Sequence, residues 1–491
     1  MIMNRRDFIL LTGKSTITAL AGSSYLLQAC HTEEDMIGKP NWIVEGNFET
    51  SLSIPQYVTG PTSLVAQSSS ANVVDGRTSA TMAYGAGILG PTFEAHKGQT
   101  VLVDLQNKLS EHTNIHWHGL VLPSDMDGHP EDLAKPGESF QYSLPIQQRA
   151  GTYWYHPHPH EATARQVFMG LAGMFLVRDD EEAALNLPTG EYELPLIIQD
   201  KRFNGSSLSY MPSDDEIMTG YLGETILVNG IHSPYRSVEA RWYRLRLLNG
   251  STARVYQLGF SYSHEFYLIG TDGGLLEVPE KMTSIMLAPG ERADVLINFK
   301  DFPVGSEVFL QSTKFSQFNL QGRQEFKIMK FRVEKASTDS FSLPTVLSTI
   351  TKLSASAATQ IRTLNISKLV GGTGTHGSGS RHGINGMIYD KDHMAFAVDA
   401  GSTEIWEFDN LEGDEIHPMH IHGVQFQVLN RTGGRNQVFA FEKGWKDTIM
   451  IMPGEKVSVI MTFPQYLGKF VFHCHNLEHE DDGMMLNFEI V

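Results

Sequence analysis

The segment FVFHCHNLEHEDDGMM (470–485) sets three histidines, one cysteine and two methionines within sixteen residues. Imidazole and sulfur at that density are metal-ligating chemistry. On an extended strand, residues i and i+2 face one way and i+1 the other. His473 and His475 therefore face away from Cys474. On the cysteine's side, His417 (from HPMH), His479 and Met484 complete two imidazoles, a thiolate and a thioether. That is the ligand set of a blue-copper electron-transfer site, with Cys474 covalently joined to the histidines on the opposite face.

Three more His-x-His pairs occur: His116/His118 in HWHG, His156/His158 in HPH, and His420/His422 in HIHG. With His473/His475 they make eight imidazoles, more than one ion accepts, and they suit a cluster of about three ions. Zinc, which favours closed tetrahedral sites, does not account for them. His160 extends the second pair to HPHPH and leaves its register ambiguous. The remaining histidines, His129 and His382 among them, read as ordinary surface or hydrogen-bonding residues.

The elements that must position these pairs repeat. KPGESFQYSL, APGERADVLINF and MPGEKVSVIMTF begin at Lys135, Ala288 and Met452. Each is a Pro-Gly-Glu turn running into an alternating, half-buried strand. GTYWYHPH and GKFVFHCH follow the first and third copies at the same offset, and the middle copy has GSEVFLQS in that place. There Leu310 and Ser312 stand where His156 and His158 would be. With helical periodicity scarce, the expected fold is all-β: three β-sandwich domains in series, at 41–180, 190–335 and 360–491. The first and third carry the ligands and the middle one none. Linkers are expected near 179–187 and 334–359, and a mobile Gly/Ser-rich loop at 371–383.

The chain has 491 residues, 41% hydrophobic and 19% charged, enough for about three ordinary domains. A formal charge of −18 argues against a nucleic-acid partner. Residues 1–30 pair Arg5 with Arg6 ahead of a moderately apolar stretch, which resembles a twin-arginine export signal. The signal ends in LQAC, similar to a lipoprotein box with Cys30 as the lipidated residue. The implied location is the periplasm, or a membrane surface facing the periplasm or the cell exterior. With Cys30 so assigned, Cys474 has no disulfide partner, and a metal is the obvious holder of its thiol.

HWHG, WYHPH, HPMHIHG and HCHNLEHEDDGMM together resemble the four copper motifs of the multicopper oxidases, the family of laccases and cuprous oxidases. GLAGMFLV and GWKDT add to the likeness, which covers nearly the whole chain beyond the signal. The resemblance implies three cupredoxin-like domains and four copper ions. His417, Cys474 and His479, with axial Met484, would hold the type 1 ion, and His116 with His420 the type 2 ion. His118, His156 and His475 would hold one type 3 ion, and His158, His422 and His473 the other. It further implies one-electron oxidation of a small reducing substrate and reduction of O2 to water, with Glu480 and Asp127 supplying protons. A monomer suffices for such a site.

Bacterial relatives that oxidise Cu(I) carry a methionine-rich insert in the third domain and a Met/Asp pair just before the type 1 histidine. Here GGTGTHGSGSRHG replaces the insert, and GDEI (413–416) precedes His417. Asp414 and Glu415 offer hard oxygen where soft Cu(I) prefers thioether. The expectation is therefore a laccase-like enzyme acting on phenols, aromatic amines or Fe(II), with Asp414 and Glu415 near the substrate. The alternatives are a cuprous oxidase of copper tolerance and, further off, a non-catalytic copper store or cell-division scaffold.

Overall fold

A computed structural model describes residues 46–491 apart from 75, 316–318, 323 and 371–379. The export signal, Cys30 and most of the Gly/Ser stretch lie outside the described residues. Among the described residues no helix is long and apolar enough to cross a membrane.

The fold is all-β, with three cupredoxin-like domains. The first packs two four-stranded sheets. One contains Gly151–Tyr155, which leads directly into His156, and the other contains Thr100–Asn107 and Ser139–Pro145. Alternation drives the pairing: in Thr100–Asn107, Val101, Val103 and Leu105 turn into the core while the residues between them face outward. The middle domain packs a six-stranded on a seven-stranded sheet, and the third packs two five-stranded sheets around Trp406, Phe408 and Phe472.

The Pro-Gly-Glu repeat has one physical reason in all three copies. Gly137, Gly290 and Gly454 have φ of +83°, +82° and +75°, which side chains other than glycine rarely adopt. The Glu N–H donates back across each turn, from Glu138 to Lys135 O (2.9 Å), Glu291 to Ala288 O (3.0 Å) and Glu455 to Met452 O (3.2 Å). The Glu carboxylate then accepts the N–H of the turn's first residue: Lys135 (3.1 Å), Ala288 (2.8 Å) and Met452 (2.9 Å). The glutamate locks the turn that starts the strand.

The segment 179–187, expected as a linker, includes the four-residue helix Asp180–Ala183, and its Glu182 meets Arg244 and Arg246 at 2.6 and 2.7 Å. One expectation needs correction. The supposed mobile stretch ends in the strand Ser380–Ile384, paired with Gln360–Val370, so 380–383 is ordered sheet.

Candidate metal centre

In the third domain, His417–Ile421 runs antiparallel to Gly468–Cys474, with His420 opposite His473 and Met419 opposite Cys474. On these strands His473 and Cys474 turn to opposite faces, as strand alternation requires. The first-domain half is built differently. His116 and His156 form an isolated two-residue bridge, exchanging N–H···O bonds of 2.8 and 3.2 Å. Pro157 has no N–H to continue a ladder, and the His158 N–H is taken by the Asn114 side chain at 2.6 Å.

All eight histidines of the four pairs are buried and meet between the first and third domains. Their ring nitrogens sort into groups. The Nε2 atoms of His116 and His420 face each other at 3.2 Å. His118, His156 and His475 form one triad, with His118 Nδ1 3.4 Å from His156 Nε2. His158, His422 and His473 form another, in which His473 Nε2 lies 3.2 Å from Nε2 of both partners.

The protons on these rings can be assigned from what surrounds them. Nδ1 of His116 donates to Asp127 O (2.7 Å), of His156 to Pro157 O (2.9 Å) and of His420 to Asp447 O (2.7 Å). His422 Nδ1 donates to the Asp127 carboxylate at 2.6 Å, and His473 Nδ1 to Cys474 O at 3.1 Å. His118 is reversed: its Nε2 donates to Asp447 Oδ1 at 3.0 Å and its Nδ1 faces the cluster. In each case the outward nitrogen holds the proton and the inward one keeps its lone pair. Burial, helped by neighbouring imidazoles, holds His118, His422 and His475 well below the ordinary histidine range, which favours the neutral ligand form.

A metal fits here. Both ring nitrogens of the fully buried His475 lack a hydrogen-bond partner, and facing lone pairs at 3.2 Å would repel with nothing between them.

Cys474 faces the opposite side. Its Sγ lies 3.5 Å from His417 Nδ1 and 3.6 Å from His479 Nδ1. Met484 is fully buried in the same core, and its carbonyl accepts the Cys474 N–H at 3.0 Å. Burial raises the Cys474 thiol, so it keeps its proton unless a metal displaces it. His473 and His475, flanking it, belong to the two triads.

Both candidate proton donors are buried. Glu480 lies 3.0 Å from His473 Nδ1 and 3.5 Å from His158 Nδ1. Asp127 bonds His422, and its second oxygen has no partner. Burial, with Asp132 adding, pushes the Asp127 carboxyl well above its ordinary range. Asp414 is exposed, 3.8 Å from Lys368, and Glu415 beside it is half-buried and raised to about 7 by burial and then by Asp414.

Three contributors escaped the sequence reading. His382, read as ordinary, is 4% exposed and packs its ring 4.8 Å from His417 and 4.3 Å from His479. His382 and His479 both donate from Nε2 to Met218 O, at 3.0 and 2.9 Å. Met218 belongs to the middle-domain helix Asp214–Thr219, so the domain without ligands covers the Cys474 site. The third is Asp447, noticed only within GWKDT, which touches His118 by its carboxylate and His420 by its carbonyl.

Models of multicopper oxidase domains match residues 65–182, 222–325 and 359–491. A multicopper oxidase of Staphylococcus aureus is 35% identical over 426 residues, covering 86% of each chain. The Bacillus subtilis laccase is 34% identical, covering 82% of this chain and 88% of that one. The crystal structure of an Aquifex aeolicus multicopper oxidase superposes with a TM-score of 0.81 at 35% identity, over 90% of this chain and 99% of the other. On these matches the chain belongs to the multicopper oxidase family and is an oxidoreductase.

Proposed function

We propose a laccase-like oxidase that removes electrons singly from phenols, aromatic amines or low-valent metal ions and delivers four of them to O2, giving two waters. His417, Cys474, His479 and Met484 would hold the type 1 ion, and His116 and His420 the type 2 ion. His118, His156 and His475 would hold one type 3 ion, and His158, His422 and His473 the second. Copper held there would supply the one-electron redox chemistry. One observation carries the reading: Cys474 Sγ meets His417 and His479 at 3.5 and 3.6 Å, while its chain neighbours His473 and His475 sit in the two triads. A donor site and an oxygen site are thereby joined through three consecutive residues.

The surrounding residues handle protons and access. Glu480 and Asp127, each against a triad histidine, are placed to hold protons for O2 reduction. Half-buried Glu415 and exposed Asp414 stand before His417, where they can accept a phenolic proton or dock a cation. These hard oxygens favour a laccase-like substrate over Cu(I). The export signal and the lipid on Cys30 remain part of the proposal, which puts a monomer in the periplasm or on a membrane facing it.

Steady-state oxygen uptake by copper-loaded protein tests this, with a dimethoxyphenol, Fe(II) and Cu(I) compared and Glu415→Ala alongside. Efficient phenol turnover without added copper is expected. Dominant Cu(I) turnover would make the protein a cuprous oxidase of copper tolerance. No uptake beyond reoxidation of bound metal would make it a copper store or scaffold.

A further inference from the structure

The middle domain has no His-x-His pair, yet its Pro-Gly-Glu turn reaches the imidazole cluster. A first side-chain carbon on Gly290 would lie 3.0 Å from the His475 ring. Two residues on, Arg292 is 1% exposed, and all five of its guanidinium N–H groups are used. Nε donates to Thr152 O (2.8 Å), on the first-domain strand that leads into His156. Nη1 donates to Gly290 O (2.9 Å) and Asp447 Oδ1 (2.7 Å). Nη2 donates to Asp272 O (3.1 Å) and Asp447 Oδ2 (2.5 Å). One side chain thus bonds all three domains.

Its partner Asp447 sits where the histidine protons are decided. Oδ1 accepts from His118 Nε2 (3.0 Å) and from Thr448 Oγ1 (3.0 Å), and its carbonyl accepts from His420 Nδ1 (2.7 Å). Asp447 therefore turns the His118 Nδ1 and His420 Nε2 lone pairs inward, one from each ligand-bearing domain. The neighbouring charges repeat the contact in reverse, Lys446 meeting Asp272 at 2.8 Å and Glu291 at 3.2 Å. A buried carboxylate can aim two ligands only if something fixes it in turn. Bidentate bonding to a guanidinium does that, and a lysine ammonium cannot reproduce the fork.

We infer that Arg292 is a positioning residue for the trinuclear site, acting through Asp447 to orient His118 and His420, and that this is the part the ligand-free middle domain plays. The inference rests on the copper assignment proposed above. On loss of Arg292 it predicts a defect first at the ion held by two histidines only, His116 and His420, because that ion has the fewest ligands to spare. On loss of the Asp447 carboxylate it predicts a defect at the ion His118 would hold. The Cys474 site shares no residue with Arg292 or Asp447.

The test is electron paramagnetic resonance of the copper-loaded full chain, with type 1 and type 2 signals integrated in one spectrum and total copper per chain measured. Arg292→Lys, Arg292→Met and Asp447→Asn are compared with the native chain. In the arginine variants the expected result is an unchanged type 1 signal with type 2 copper held about 10- to 100-fold less tightly against a chelator. Asp447→Asn keeps the carbonyl bond to His420 and leaves Arg292 its bonds to Thr152, Gly290 and Asp272, so it acts on His118 alone among the histidines. Its expected result is less total copper per chain at an unchanged type 1 signal, and it decides if the arginine variants do not fold. Native signal proportions together with native total copper in a folded variant overturn the inference alone. A native chain that takes up copper without any type 1 signal overturns the copper assignment and the inference together.

Discussion

Asp127 and His422 stand 295 positions apart and are joined by a 2.6 Å hydrogen bond at the contact of the first and third domains. The same carboxylate is 3.7 Å from His116 Nδ1, and its free oxygen is buried without a partner. An acid so placed can orient one imidazole and also hand a proton inward. Asp127→Asn keeps an acceptor for His422 and removes the transferable proton. Turnover with a phenol should fall about 10- to 100-fold. KM for the phenol should stay, because Asp127 contacts none of the residues around Cys474. Steady-state kinetics at saturating oxygen measure both, and an unchanged turnover number would remove Asp127 from proton supply.

Cys474→Ser separates the two halves of the centre. The hydroxyl is nearly isosteric, but it is not a soft ligand, so the thiolate–copper blue absorption should vanish. The eight imidazoles are untouched, and the backbone bond from residue 474 to Met484 O is independent of the side chain. The variant should therefore bind about one copper fewer per chain and lose oxidation of every reducing substrate. Metal analysis and absorption spectra on one sample check this. A blue band surviving the substitution would place the type 1 site elsewhere.

The histidine groups were legible because paired imidazoles along a chain leave a local mark. His473, Cys474 and His475 alternate along a strand, and the strand geometry follows from the alternation. HPH was legible as a motif although its residues sit on no regular strand, since Pro157 prevents one. His382 was not legible: a histidine in a Gly/Ser-rich stretch signals nothing until pairing with Gln360–Val370 carries it over His417 and His479. Arg292 and Asp447 lie 155 positions apart, each inside a motif that reads as a turn or a family likeness. Chain spacing cannot report such a contact, because the packing of the domains creates it.

Glu193 ties the first two domains through charge. It is 2.7 Å from Arg178, which ends a first-domain strand, and 2.7 Å from Arg246. Burial alone would raise its carboxyl, but Arg246, Arg244 and Arg178 override that and hold it well below the ordinary range. A carboxylate depressed in the folded state adds stability above its unfolded pKa of about 4.3, and that stability is lost as the pH falls below it. Glu193→Gln leaves buried guanidinium groups short of charge and should cost about 3–5 kcal/mol at neutral pH. The gap between the natural and variant chains should be widest near pH 7 and narrow as the pH falls below about 4.3, where Glu193 takes up a proton on unfolding. Denaturant unfolding of both proteins at neutral and acidic pH, followed by tryptophan fluorescence, measures it. A gap of the same size at every pH would show that the substitution acts through packing alone.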